Sequence, residues 1–355
     1  MPDGPRIVFF ADAGPEVGGG HVMRCLTLAR ALADRGAECA FVESRAAAPI
    51  LRRFGWPTQT PLAITDAEDL QDLLAYAGDF AERFEADVVV IDHYRAGAAE
   101  ETRLQAMRRK IVAIDDLADR RHACDLLLDA GYGRRREHYD GLIRATCDAR
   151  LGPSHALVRP EFASARQRAL SRRAKHGPAA RALVALGMTD VGGVTERVVR
   201  TLAPALGDVR LDVAIGGEAA SLPGLRKLAD GDRRIRLWVD DADMATLTAD
   251  ADIAIGAGGS SVWERAVVGL PSATVILAEN QRVMIEHMAD AGFTRGLDAA
   301  APDFEARLIE AWTRLVDDAA LRWRLTQRSA DLCDGAGAGR VAEAVLNLQT
   351  ASGGS

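Results

Sequence analysis

Short apolar runs bounded by polar residues or glycine recur through the first half of the chain, at 7–10, 39–42, 88–91, 111–114 and 126–128. Each is continuously hydrophobic instead of alternating, the pattern of a strand buried on both faces. Between them the period changes. Apolar side chains return at Val22, Leu26, Ala29 and Ala33, and 67–84 carries a similar helical spacing. Strands that alternate with helices predict a parallel sheet with crossover connections. The rhythm restarts after residue 180, with strands predicted at 182–186, 211–215, 235–239, 252–255 and 273–277 and helices at 194–206, 262–268, 282–291 and 306–315. The basic, small-residue stretch ASARQRALSRRAKHGPAAR lacks strand character. The reading is two doubly wound α/β domains, 1–160 and 181–350, joined by a linker over 161–180 and followed by a mobile tail, 351–355. Two such domains would face a cleft, and open α/β sheets bind ligands beyond the carboxyl ends of their strands.

Composition narrows the partners. The 355 residues suffice for two cores, and a net charge of −7 argues against nucleic acid, which needs a concentrated positive face. The arginine clusters Arg134–Arg136 and Arg172–Arg173 read as solvated surface. No apolar run is long enough to span a bilayer, no signal-peptide pattern opens the chain, and no stable membrane association is expected. Five scattered cysteines without a CxxC pair point to a reducing, cytoplasmic setting.

The stretch VGGGHVMRCLTLARAL follows the first strand. Glycine tolerates positive φ and lets a ligand approach the backbone. His21 opens the following helix, where free N–H groups carry partial positive charge and disfavour an imidazolium. That makes His21 a candidate general base behind Gly19 and Gly20; a turn histidine that caps the helix is the plain alternative. In ADIAIGAGGSSVWERAVVGLPS a strand runs into Gly258 and Gly259, a helix opens at Ser260 and Ser261, and Glu264 lies one turn in. Glycines and hydroxyls in this order have the form of a phosphate cradle. It is not a P-loop, since Lys110, Lys175 and Lys227 all lie elsewhere. Ser261 and Glu264 also have the spacing of a capping box, whereas a carboxylate in this place can instead accept two ribose hydroxyls. Asp92, His93 and Tyr94 stand at one strand end, and Asn280 and Gln281 at another; Asn280 also suits a helix N-cap. IDDLADRRHACDLLLD gathers Asp115, Asp116, Asp119, His122 and Cys124 in no closed zinc spacing, and no metal site is expected there.

Taken together, GGGHVMRCLTLARAL, VIDHY, IDDLADRRHACDLLLD, LGPSHALVRPEF, GAGGSSVWERAVVGLP and ENQ resemble, in order, the family of UDP-2,4-diacetamido-2,4,6-trideoxy-β-L-altropyranose hydrolases of pseudaminic acid biosynthesis. The resemblance implies a GT-B-like fold of two Rossmann-like domains and a metal-free, cofactor-free, inverting hydrolase that releases UDP and a free sugar. It implies that His21 is the base, and that Asp12, Gly19, Gly20, Tyr94, Asn280 and Gln281 line the sugar site. Gly258, Gly259, Ser260, Ser261 and Glu264 would hold UDP. Two positions depart from the family pattern: Phe10 precedes Ala11-Asp12 where an Arg-x-Asp is usual, and Met188 replaces the second glycine of a Gly-Gly-Thr-Asp run. A glycosyltransferase of the same fold and a non-catalytic nucleotide-sugar binder are the competing readings; a neutral base in a glycine loop is superfluous for the second.

Overall fold

The computed structural model describes residues 4–12, 18–44, 48–54, 62–65, 70–240 and 242–350. The expected tail 351–355 and Val17, at the front of the glycine run, lie outside these. The chain divides into two compact units, Met1–Leu157 with Ala336–Ser355, and Val158–Gly335.

The first unit is built on seven strands: β1 (Arg6–Ala11), β2 (Glu38–Ser44), β3 (Leu62–Thr65), β4 (Val88–Asp92), β5 (Lys110–Ile114), β6 (Leu126–Asp129) and β7 (Asp148–Leu151). They run parallel in the order β3-β2-β1-β4-β5-β6-β7. Side chains of a strand alternate between faces. Ile7 and Phe9 of β1 therefore join Val22, Leu26, Val341 and Val345, while Val8 and Phe10 join Leu73, Leu74 and Ala77 on the other face. Both faces are covered, which is why the strand sequences read as unbroken apolar runs. The order reverses between β1 and β4, where Ala11 pairs with Asp92, so the carboxyl ends of these two strands form the switch point.

The second unit holds β8 (Arg181–Ala185), β9 (Arg210–Ile215), β10 (Ile235–Val239), β11 (Ile253–Ala257), β12 (Ser272–Ile276) and β13 (Arg295–Asp298), parallel in the order β10-β9-β8-β11-β12-β13. Its switch point lies between β8 and β11. Val184, Val213, Ile255 and Val275 meet Phe304, Leu308 and Trp312 in its core. Among the described residues no helix is long and apolar enough to cross a membrane.

The boundaries differ from those expected. The stretch expected as a linker folds mostly as a helix, Pro160–Arg173, within the second unit. Arg172 and Arg173, expected in solvent, explain it: Arg172 pairs with Asp252 at 2.5 Å, and Arg173 donates to the carbonyls of Val268 (2.7 Å) and Thr248 (2.8 Å). Arg134 likewise pairs with buried Asp129 at 2.5 Å. The last helix, Gly337–Thr350, expected in the second domain, belongs to the first unit, because Val341, Ala342 and Val345 fill the groove along helix Gly20–Ala33. Strands β3, β7 and β13 escape the apolar pattern. They are edge strands, and the side chains of β7 and most of β13 are only partly buried.

Candidate functional site

At the switch point of the first sheet the glycine run enters helix Gly20–Ala33 with Gly19 as its N-cap. Only Gly18 of the three takes a left-handed φ, 74°. Gly19 makes no side-chain cap, and His21 does not cap the helix either: its ring is buried and points to β4. His21 Nδ1 lies 2.5 Å from Asp92 Oδ1. Arg24, one turn along the same helix, reaches both oxygens of Asp92, through Nε and Nη2, at 2.6 Å each. Burial pushes the Asp92 carboxyl up, but the Arg24 guanidinium and the His21 ring beside it win and hold it well below the usual carboxylate range. An ionised carboxylate can only accept, so the hydrogen on His21 Nδ1 points to Asp92, with Arg24 Nη2 also 3.1 Å from Nδ1, and in the neutral ring the lone pair is then on Nε2. Among the described residues Nε2 has no hydrogen-bond partner.

Tyr94 packs edge-on against His21, ring centres 4.6 Å apart, and its hydroxyl lies 3.4 Å from Asp116 Oδ2. Asp116 also takes Arg24 Nη1 at 3.1 Å. His93 points to Asp12, its Nε2 3.7 Å from Oδ1, because the Arg95 N–H donates to Nδ1 at 3.1 Å and leaves the hydrogen on Nε2. Phe10, where the family pattern has arginine, is buried and stacks on His93 at 5.4 Å. Thus His21, Tyr94, Asp92 and Asp12 of the expected residues converge on one strand-end cluster.

Apart from Asp116, the acidic and histidine side chains of the aspartate-rich stretch beside it bond within the fold. Asp115 accepts from the Ala118 N–H (2.9 Å) and Arg120 (2.7 Å), and the Tyr139 hydroxyl lies 2.9 Å from Asp115 and 2.7 Å from Asp129. Buried His122 sits between Glu101, 2.6 Å from Nδ1, and Asp115, 3.8 Å from Nε2. Among the described residues no cluster of three or more His, Cys, Asp or Glu is placed to hold a metal ion. Burial pulls the His122 ring down, but its carboxylate neighbours Asp115 and Glu101 prevail and raise it to about 9. A raised pKa stabilises the fold fully below the unfolded value of about 6.5, and that contribution is lost as pH rises through the folded value. Urea unfolding should therefore show wild-type stability falling by up to about 1.4 kcal/mol per pH unit between about pH 6.5 and about pH 8, below the range where the buried thiols titrate in the unfolded chain. In His122→Gln this slope should vanish; an equal slope in the variant would remove the assignment.

In the second unit β11 ends at Ala257, and Gly258, Gly259 and Ser260 lead into helix Ser261–Val267. Among the described residues the N–H groups of Gly259, Ser260 and Ser261 donate to no backbone carbonyl. The capping box does not form. Ser260 is the N-cap and makes no side-chain cap bond, while Glu264 accepts from Arg159 Nε at 2.8 Å. Gln281 Oε1 accepts the Leu277 N–H at 3.0 Å and packs where a Cβ on Gly258 would fall, 2.9 Å away. Ala278, not Asn280, is the N-cap of helix Glu279–Asp290, and Asn280 is exposed on its first turn. Met188 keeps the close approach of its loop through its backbone: its carbonyl accepts the Gly216 N–H at 3.2 Å, and a Cβ on Gly216 would lie 2.3 Å from that oxygen.

Several residues of these clusters were not singled out by sequence reasoning for a role at the site. Arg24 and Arg265 stand inside quoted motifs, three and four residues from His21 and Ser261, and helical spacing alone places each pair on one face. Arg159, more than a hundred positions from Glu264, left no such signal.

No protein-family model matches the chain. It is 25% identical over 289 residues, 81% of its length and 97% of the relative's, to UDP-2,4-diacetamido-2,4,6-trideoxy-beta-L-altropyranose hydrolase of Campylobacter jejuni. It is also 25% identical over 351 residues, 97% of this chain and 98% of the relative, to the spore coat polysaccharide biosynthesis protein SpsG of Bacillus subtilis. Among solved structures it is similar to Acinetobacter baumannii MurG, with a TM-score of 0.68 at 14% identity over 97% of this chain and 99% of that one. It is similar, too, to the Neisseria meningitidis UDP-GlcNAc 2-epimerase bound to UDP-GlcNAc, with a TM-score of 0.67 at 10% identity over 97% and 100% of the two chains. The fold is GT-B-like, with two Rossmann-like units, and the first relative bears out the resemblance carried by the motifs.

Proposed function

We propose that this chain hydrolyses a UDP-linked diacetamido-trideoxy sugar at the anomeric C–O bond, with inversion and without a metal, releasing UDP and the free sugar for nonulosonic acid synthesis. The observation that carries the reading is the His21–Asp92 pair at the first switch point, 2.5 Å apart, with Nε2 left as the basic nitrogen. His21 Nε2 takes a proton from water as the water oxygen bonds to the anomeric carbon. The bond from that carbon to the diphosphate oxygen breaks on the opposite face, and UDP leaves. Asp92 holds the ring in the required tautomer and stabilises the imidazolium, the part a buried carboxylate plays beside a catalytic histidine. The Campylobacter jejuni relative is named for this activity, which supports the substrate class.

In this reading Asp12, Tyr94, Asn280 and Gln281 contact the sugar, with Gly19 and Gly20 leaving room for it. Gly258, Gly259, Ser260 and Ser261 hold the diphosphate, and Glu264, oriented by Arg159, accepts the ribose hydroxyls. The test is incubation with a panel of UDP-sugars, with and without acceptor sugars, watching for UDP. Release without acceptor supports hydrolysis; release only with acceptor would make the chain a glycosyltransferase. Glu264→Ala should raise KM by about 10–100-fold, the worth of hydrogen bonds to a charged group, and leave kcat unchanged, since the ribose does not change charge during reaction. A fall in kcat at saturating substrate with KM unmoved would contradict the ribose assignment.

A further inference from the structure

Beneath the Gly258–Ser261 loop lies a cation that, among the described residues, bonds to no carboxylate, although the neighbouring Glu264 charge favours it. Arg265 is 5% exposed, and its bonding partners are neutral oxygens: Ala257 O at 2.9 Å, Ser261 Oγ at 3.1 Å and Thr274 Oγ1 at 3.3 Å. Its Nε is buried without a hydrogen-bond partner among the described residues. The strand is cut away to admit it, for a Cβ on Gly256 would sit 2.3 Å from Nη1. The Thr274 and Thr294 hydroxyls lie 2.7 Å apart, and Thr294 donates onward to Ser272 O at 2.8 Å, so the hydroxyl chain turns its acceptor end toward the guanidinium. A buried charge without a direct ion pair is costly, and a site that keeps one gains from an anion bound close by. Burial lowers the guanidinium to about 10, which leaves it charged at neutral pH.

We infer that Arg265 is the positioning residue that tunes this loop for a diphosphate, fixing Ser261 as a hydrogen-bond donor and setting a permanent positive charge under the anion. The polarity follows from the geometry. Arg265 Nη1 fills an acceptor site of Ser261 Oγ, so the serine hydrogen is free to be given away. Inside the fold that hydrogen has only a long contact, 3.5 Å to Ala257 O, which already accepts from Arg265. A phosphate oxygen at the half-buried loop would take it in a shorter, charge-assisted bond. The inference rests on the nucleotide-sugar reading for the ligand, and deepens it by naming the residue that discriminates a diphosphate from an uncharged nucleoside.

The experiment is calorimetric titration of the full chain with UDP, uridine and inorganic pyrophosphate, on the wild type, Arg265→Met, Arg265→Lys and Gly256→Ala. In Arg265→Met the preference for UDP over uridine should shrink by about tenfold or more, with uridine affinity held, because only charged hydrogen bonds are lost. Arg265→Lys, which keeps the charge, should recover most of the preference. Gly256→Ala, which keeps the cation but displaces it, should lose the preference and stands in if Arg265→Met fails to fold. A preference unchanged in both Arg265→Met and Gly256→Ala, or UDP and uridine weakened equally, would overturn the inference and leave Arg265 a structural clamp. If the wild type binds pyrophosphate through Arg265 but not UDP, the nucleotide-sugar reading falls and the inference stands; if it binds neither, both fall.

Discussion

His21→Ala should lower kcat by about 10²–10⁴-fold, the usual contribution of a positioned general base, with the affinity for UDP unchanged. The separation follows from where the groups lie. His21 belongs to the first unit and its polar partners are Asp92 and Arg24, whereas the loop proposed for the diphosphate lies in the second unit. Steady-state rates at saturating substrate and calorimetry with UDP check it together. Near-full turnover would make His21 a packing residue. Equal loss of turnover and UDP binding would mean that the substitution disturbs more than the proton transfer.

Asp92→Asn should be nearly as damaging, about 10³-fold or more in kcat, without removing any proposed base. An amide can turn its NH₂ toward Nδ1, and the ring then carries its hydrogen on Nε2, where a base needs the lone pair. Arg24 retains Asp116 at 3.1 Å, so its buried charge keeps one counterion and the fold should survive. Thermal unfolding separates the two effects. A variant that melts near the wild-type temperature yet has lost turnover supports the tautomer argument; one that turns over normally contradicts it.

The sheets were legible because their central strands are buried on both faces, so β1, β4 and β11 are nearly pure runs of apolar side chains. The same physics hid the rest. β7 carries Asp148 and Arg150 at an edge, where half of each strand is solvated, and its sequence is indistinguishable from a loop. The linker was placed on a basic, small-residue stretch without strand character, and its arginines were read as surface. In helix Pro160–Arg173 their heads instead satisfy carbonyls of the second unit, and charge in a sequence does not say whether a carbonyl waits for it. The candidate site divides the same way. His21 and the Gly258–Ser261 loop could be found from local grammar, a titratable residue or hydroxyls behind glycines at a strand end. The tie between His21 and Asp92 depends on β1 and β4 lying side by side across 71 positions, which follows from strand order and not from spacing. Arg159 with Glu264 spans 105 positions and has the same origin. A capping box was the local alternative to a ligand role for Glu264, and a long-range ion pair takes its place.

The central claim is that water attacks the sugar carbon and not phosphorus, and the position of an isotope decides it. Turnover of the UDP-sugar in ¹⁸O-labelled water, with the products separated and weighed by mass spectrometry, should place the heavy oxygen in the anomeric hydroxyl of the released sugar and leave UDP unlabelled. Label in the terminal phosphate of UDP would mean cleavage at phosphorus, and the role given to His21 would have to be abandoned.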